Sequence, residues 1–169
     1  MRCKIYILLA IALIGSADRV LAQTQKDLTR SNWYFGDRSG LEFGENSVSI
    51  LTNSAMTQLE GVATISDSKG DLLFYTNGQV IYDADHRPML NGTGLRGNVS
   101  ASQGAVIVKL PGSENMYYVF STGAVELGII DVYYSVVDMA RNDGKGDVIP
   151  DQKNILIYSG SSEKCAAVY

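Results

Sequence analysis

Glu60 to Met89 reads EGVATISDSKGDLLFYTNGQVIYDADHRPM, three short apolar runs separated by two turn signals. Asp67-Ser68-Lys69-Gly70 parts Val62–Ser66 from Leu72–Thr76, and Asn77-Gly78 parts that run from Gln79–Asp83. Asn-Gly tolerates positive φ at both central positions, so it predicts a type I′ hairpin turn. The whole stretch is a β-meander. Leu72-Leu73-Phe74-Tyr75 is apolar at successive positions, which puts large side chains on both faces of one strand. Both faces must then be covered.

Working outward, a second block repeats the form. Gly104–Lys109, a turn at Leu110–Asn115, Met116–Ser121, Ile130–Asp138 and, after a Gly-rich turn, Asn154–Tyr158 predict a four-stranded unit. Upstream, Trp33-Tyr34-Phe35, a turn at Gly36–Gly40 and Leu41-Glu42-Phe43 read as a tight hairpin anchored by the sole Trp, followed by a short strand in Ser47–Thr52 and a loop at Asn53–Leu59. The starts Glu60-Gly61-Val62-Ala63 and Gln103-Gly104-Ala105-Val106 are 43 positions apart, and Glu163–Val168 resembles a third start 60 further on. A period of about 40 to 45 is that of four-stranded propeller blades, which bury both faces against their neighbours. No segment after residue 22 keeps a helical apolar period. The expected fold is therefore all-β, with antiparallel meanders forming about two blades of an incomplete β-propeller. It divides into an opening hairpin and strand (32–59), a first blade (60–102), a second blade (103–162) and the start of a third (163–169). The chain stops within an apolar run, and the expectation is a piece of a longer protein whose remaining blades are its partners.

The first 22 residues are set apart. Met1-Arg2-Cys3-Lys4 is a basic n-region, Ile5–Ile14 an apolar core of signal-peptide length, and Val20-Leu21-Ala22 a cleavage context, so residues 1–22 are expected to be removed on export through the Sec machinery. Residues 23–31 are a polar leader. The protein is then expected in the periplasm, at the cell surface or outside the cell. The whole chain carries a net charge of −4, and losing Arg2, Lys4, Arg19 and Asp18 makes the remainder more acidic. Nucleic acid is excluded as a partner on that ground. No later apolar run reaches the roughly 20 residues a membrane helix needs. With Cys3 removed, Cys165 has no intrachain disulfide partner, so stability must come from a packed core.

Candidate chemistry is sparse. Asp83, Asp85 and His86 form a carboxylate and imidazole cluster of the kind that holds a metal, although the simpler reading is a polar corner after a strand. Asp143 and Asp147 lie in NDGKGD, which lacks the ligand spacing of a calcium loop. Gly92-Thr93-Gly94-Leu95-Arg96-Gly97 has the G-x-G-x-x-G form but follows no βαβ pattern. There is no nucleophile elbow, and the one His has no paired Ser or Cys in a recognisable context. No catalytic residue and no cofactor is assigned. The pairs Tyr117-Tyr118 and Tyr133-Tyr134 fall on neighbouring expected strands, one ring of each toward each face. They are packing residues or, alternatively, a ligand-stacking platform.

Asn32-Trp33-Tyr34-Phe35-Gly36 with Gly40–Phe43, Glu60–Asp67 with Gly70–Gly78, then His86, Pro88–Leu95, Ser102–Val108 and Ser162-Glu163-Lys164 carry a family likeness in order along the chain. They resemble the amino-terminal propeller-like region of large Bacteroidetes cell-surface proteins. Those proteins carry a type B sorting domain for type IX secretion and are often labelled gliding-motility-associated. Tyr82 and Asp83 stand where the pattern has Trp and Asn, and no sorting domain is present. The resemblance implies a non-catalytic, exported scaffold or recognition module for surface glycan or protein. The competing expectation is part of a glycan-active propeller hydrolase whose acidic residues lie in other blades, or a piece without independent function.

Overall fold

The computed structural model describes residues 27–129 and 131–167. The expected signal peptide, residues 23–26 of the leader and the last two residues of the expected third start lie outside them. Three strands open the fold as an antiparallel sheet in chain order: β1 (Asn32–Phe35), β2 (Ser39–Phe43) and β3 (Val48–Leu51). A meander follows, β4 (Ala63–Ser66), β5 (Leu72–Thr76), β6 (Val80–Asp83) and β7 (Pro88–Thr93), each strand antiparallel to the one before. The second half holds β8 (Ala105–Lys109), β9 (Met116–Thr122), β10 (Asp131–Asp138), the two-residue β11 (Asp147–Val148) and β12 (Ile155–Ser159). There β8, β9, β10 and β12 repeat the antiparallel course. β11 pairs with β10 on one side and, in parallel, with β7 on the other, so the two meanders join into one mixed sheet of nine strands. That sheet curls until its ends, β4 and β8, lie against each other without a hydrogen-bonded ladder. The chain is all-β; its only helical segments among the described residues are three single 3₁₀ turns.

The stretch that decides the fold behaves as its pattern requires. Asp67 caps the first turn, its Oδ1 accepting from the N–H groups of Lys69 (2.8 Å) and Asp71 (3.0 Å). On β5 the successive apolar residues split between two cores. Phe74, with Leu73, belongs to the core shared with the second meander, which includes Ile81, Met89, Tyr117, Val119 and Val137. Tyr75, with Leu72, belongs to the core shared with the three-stranded sheet, built on Tyr34 and Met56. Both faces of this strand are covered.

Three expectations need correction. The Asn77-Gly78 turn is not type I′: Gly78 has φ 82° but Asn77 is not in the positive region. Asn77 instead spends its side chain on the backbone, its Oδ1 accepting from Gln79 N–H and Val80 N–H, which lengthens the loop by a residue. Trp33 does not anchor the first hairpin. The parity of β1 buries Asn32 and Tyr34 (3% exposed) and leaves Trp33 52% exposed. The polar corner after Asp83 leads straight into β7, invisible in the apolar pattern because only Met89 and Gly92 of its six residues turn inward.

The two meanders meet most closely at glycine. A Cβ on Gly61 would lie 2.1 Å from the Gly104 nitrogen and 2.8 Å from the Ala101 carbonyl oxygen, while Gly61 N–H donates to that same oxygen at 3.1 Å. Only a residue without a side chain lets the two starts touch.

Candidate functional site

Asp83, Asp85 and His86 occupy the tight turn between β6 and β7. Asp83 is buried and its Oδ1 accepts from the N–H groups of Asp85 (3.0 Å) and Arg87 (2.9 Å), so this carboxylate holds the turn. Asp85 points outward to Lys145 at 2.5 Å, which holds its carboxyl below the usual range. His86, at φ 61°, turns the other way, toward the three-stranded sheet. Its Nε2 lies 2.7 Å from the Asn53 amide nitrogen, and its Nδ1 lies 3.2 Å from the Tyr75 hydroxyl. With Asn53 donating, Nε2 is the acceptor and the ring proton sits on Nδ1. Tyr34 O–H donates to Asn53 Oδ1 at 3.2 Å, and Ala55 N–H donates to the Tyr75 oxygen at 2.9 Å. Tyr34, Tyr75 and Tyr82 stack in sequence beside them, with ring centroids 4.6 and 5.1 Å apart. Burial pushes His86 below its ordinary pKa, against the opposing pull of Asp83 and Asp85. This cluster stitches the small sheet to the first meander. Among the described residues, the imidazole nitrogens meet an amide and a phenol, and no Ser or Cys side chain bonds to the ring.

The remaining sequence candidates are dispersed. Asp143 is exposed at φ 54° in a turn, whereas Asp147 is buried on β11, where its Oδ1 accepts from Asn91 Nδ2 at 2.9 Å and its Oδ2 lies 3.6 Å from Arg141. Among the described residues, no three His, Cys, Asp or Glu side chains come together in a way that could hold a metal ion. Tyr117 is core, edge-on to Phe74 at 5.5 Å. Tyr118 faces the opposite side, edge-on to Tyr134 at 5.5 Å, and both are half-buried. Tyr133 is buried under the Arg96 guanidinium, which stands 5.2 Å above its ring and donates to its hydroxyl at 3.2 Å. The four tyrosines form no common platform.

The concavity that stands out lies elsewhere. The first strand of each unit, β1, β4 and β8, runs beside the next, and together they floor a cleft of about 750 Å³. Trp33, Tyr34 and Phe35 line it from β1, Thr64 and Ile65 from β4 with Val62 just before them, and Ile107 and Lys109 from β8. Asp27, Thr29 and Arg30 close it from the leader side. The strand edges face this space. On β8, Thr122 N–H donates to the Gly104 carbonyl and Leu110 N–H to the Met116 carbonyl, so even-numbered residues face β9 and the backbone of Ile107 faces away. On β1, Phe43 N–H donates to the Ser31 carbonyl, which sends the Tyr34 N–H outward, where it donates to Thr64 Oγ1 at 3.1 Å. A second cleft of about 380 Å³ adjoins through Thr29, Ile65 and Lys109 and carries Asp67 and Glu114.

None of these cleft residues was singled out for chemistry by the sequence, and the one signal that could have found them is the lone Trp set at the start of the first hairpin. Comparison with family models, with curated proteins and with solved structures returned no match.

Proposed function

We propose that the chain forms successive blades of a β-propeller and serves as a non-catalytic scaffold or recognition module of an exported protein, with surface glycan or protein as its ligand. The observation that carries this reading is the cleft itself: the first strands of three successive antiparallel units stand side by side with their edges on one concave space, which resembles the way innermost propeller strands stand around a central channel, with β11 here joining the two meanders into one sheet. The contacts between unit starts support it. Gly61 N–H donates to the Ala101 carbonyl, and Gln103 N–H donates to the Glu163 carbonyl where the next unit would begin. The export reading rests on the basic n-region and apolar core of residues 1–22 and on the resemblance to Bacteroidetes surface proteins. The recognition reading, as against catalysis, rests on the imidazole being committed to Asn53 and Tyr75. The test is a screen of the purified full chain on glycan arrays and on chromogenic glycosides. Binding without turnover is expected; hydrolysis that disappears when a cleft carboxylate is replaced would refute the module and favour the hydrolase.

A further inference from the structure

The indole of Trp33 is exposed yet fixed. Its Nε1–H donates to the Arg30 carbonyl at 3.0 Å, and Phe43, which does not line the cleft, backs the ring at 4.9 Å between centroids. An aromatic surface held this way loses little freedom when a ligand stacks on it. The same hydrogen bond ties the backbone of Arg30 to the indole, so a cation-bearing residue stands beside the ring at one wall.

The Arg30 guanidinium makes no hydrogen bond or ion pair with any described residue. The Asp27 carboxylate attracts it only at longer range and has Oδ1 occupied by the N–H and hydroxyl of Thr29, at 3.0 and 2.6 Å. Of the charged side chains here, Arg30 and Asp27 line this cleft alone, while Lys109 is shared with the adjoining space that also carries Asp67 and Glu114. An extended peptide is poorly served, because a bound strand needs a continuous ladder along one edge. The β1 and β4 edges are interrupted: the Tyr34 N–H is spent on Thr64 Oγ1, and Ser66 N–H donates to the Thr29 carbonyl at 2.9 Å. What the cleft offers is an exposed indole with the Phe35 ring two residues on, one guanidinium and scattered main-chain groups.

We propose that this cleft binds an oligosaccharide bearing carboxylate groups, with Trp33 stacking on the C–H face of one sugar ring and Arg30 clamping an acid group. The proposal rests on the recognition reading above and names its ligand class. The positive C–H edge of a pyranose matches the negative face of an indole, a guanidinium matches a carboxylate in two parallel hydrogen bonds, and about 750 Å³ is within the usual size of a small-ligand site, roughly 300–1,000 Å³.

Trp33 is the protein's only tryptophan, so its fluorescence reports on this cleft alone. The full chain is titrated with tetragalacturonate, a hyaluronan tetrasaccharide and an alginate tetramer, with cellotetraose and xylotetraose as neutral probes, and with an acidic apolar peptide. A saturable change with at least one acidic sugar is expected. By calorimetry, Trp33→Ala and Arg30→Gln should each weaken that binding about tenfold or more, and Trp33→Phe by much less. Raising salt from about 50 to about 500 mM should also weaken it, and Leu156→Ser, on the exposed face of β12, should leave it unchanged. Far-UV circular dichroism checks that each variant is folded. No response to any acidic sugar, equal response to the neutral ones, response to the peptide alone, or binding indifferent to both substitutions overturns the proposal. Binding of a neutral glycan without turnover would overturn it while leaving the recognition module standing, whereas hydrolysis of the probes would overturn the module.

Discussion

Replacing Gly61 by Ala tests whether the two meanders are held by direct backbone contact. Gly61 is not at positive φ, so an alanine there suits its own backbone. With open space around it, the change would stabilise the protein by about 0.4–1 kcal/mol through the unfolded chain. The structure predicts the opposite sign. The new methyl would stand 2.1 Å from the Gly104 nitrogen, where non-bonded atoms settle near 3.5 Å, so the two backbones must part by more than about 1 Å. Overpacking of that kind costs about 1–3 kcal/mol. Separation also strains the hydrogen bonds from Gly61 N–H to Ala101 O (3.1 Å) and from Gln58 Nε2 to Gly61 O (3.2 Å), each contributing about 1 kcal/mol. The expected loss is about 2–4 kcal/mol, a shift of roughly 1–2 M in the urea midpoint for a protein of this size. Equilibrium urea unfolding followed by circular dichroism measures it. Gly112→Ala is the comparison, since Gly112 lies at φ 76° with nothing within 4 Å of its Cβ position and should cost only about 1–2 kcal/mol for left-handed backbone. A neutral or stabilising Gly61→Ala would mean that the starts do not touch, and the account of how the sheet curls would fall with it.

Phe74→Ala should cost about 3–5 kcal/mol by emptying the core between the meanders, whereas Ile50→Ser, at a residue 81% exposed on β3, should stay within about 0.5 kcal/mol; thermal unfolding compares the two. For His86, burial makes the folded state hold its proton less tightly than the unfolded one, so its contribution is complete above the unfolded value of 6.5 and is lost as pH falls below that toward the folded value. His86→Gln should flatten that part of the stability profile, and an unchanged slope would refute the assignment. The Glu163 carboxylate accepts from Val125 N–H and from the N–H and hydroxyl of Ser102, which lowers its pKa to about 2. Its clamp on the final segment should persist as pH falls past 4.5 and release toward about 2, and Glu163→Gln should speed hydrogen exchange at Val125 and Ser102 already at neutral pH.

The pattern of apolar residues made the strands legible because each strand's side chains face an environment fixed within a few residues. Leu72 to Tyr75 declared two covered faces, and Phe74 and Tyr75 do enter two different cores. What the pattern missed was set by single backbone geometries. Asn77 uses its amide on Gln79 and Val80, which abolishes the type I′ turn its identity suggested. On β7 the left-handed Asn91, at φ 56°, breaks the alternation, so that strand left no periodic trace. Residue 33 is the instructive error. A lone tryptophan is most simply read as a buried anchor, and one step of strand parity gave that place to Tyr34.

That same step explains why the cleft was out of reach of a linear reading. Its wall residues come from the starts of three separate units, Arg30 just before β1 and Trp33 on it, Thr64 on β4 and Ile107 on β8. No local spacing connects positions that far apart; only the side-by-side course of β1, β4 and β8 does. Of the polar residues that local spacing did flag, Asp83 is bound to nearby backbone, as turns require, while Asp85, His86 and Asp147 are tied to Lys145, Asn53 and Asn91 from distant stretches. In a chain built from successive meanders, residues close in sequence tend to close loops, while residues that converge from unit starts are left with groups facing solvent. The exposed, rigidly held Trp33 belongs to the second kind, which is why the search for a ligand begins there rather than at the single histidine.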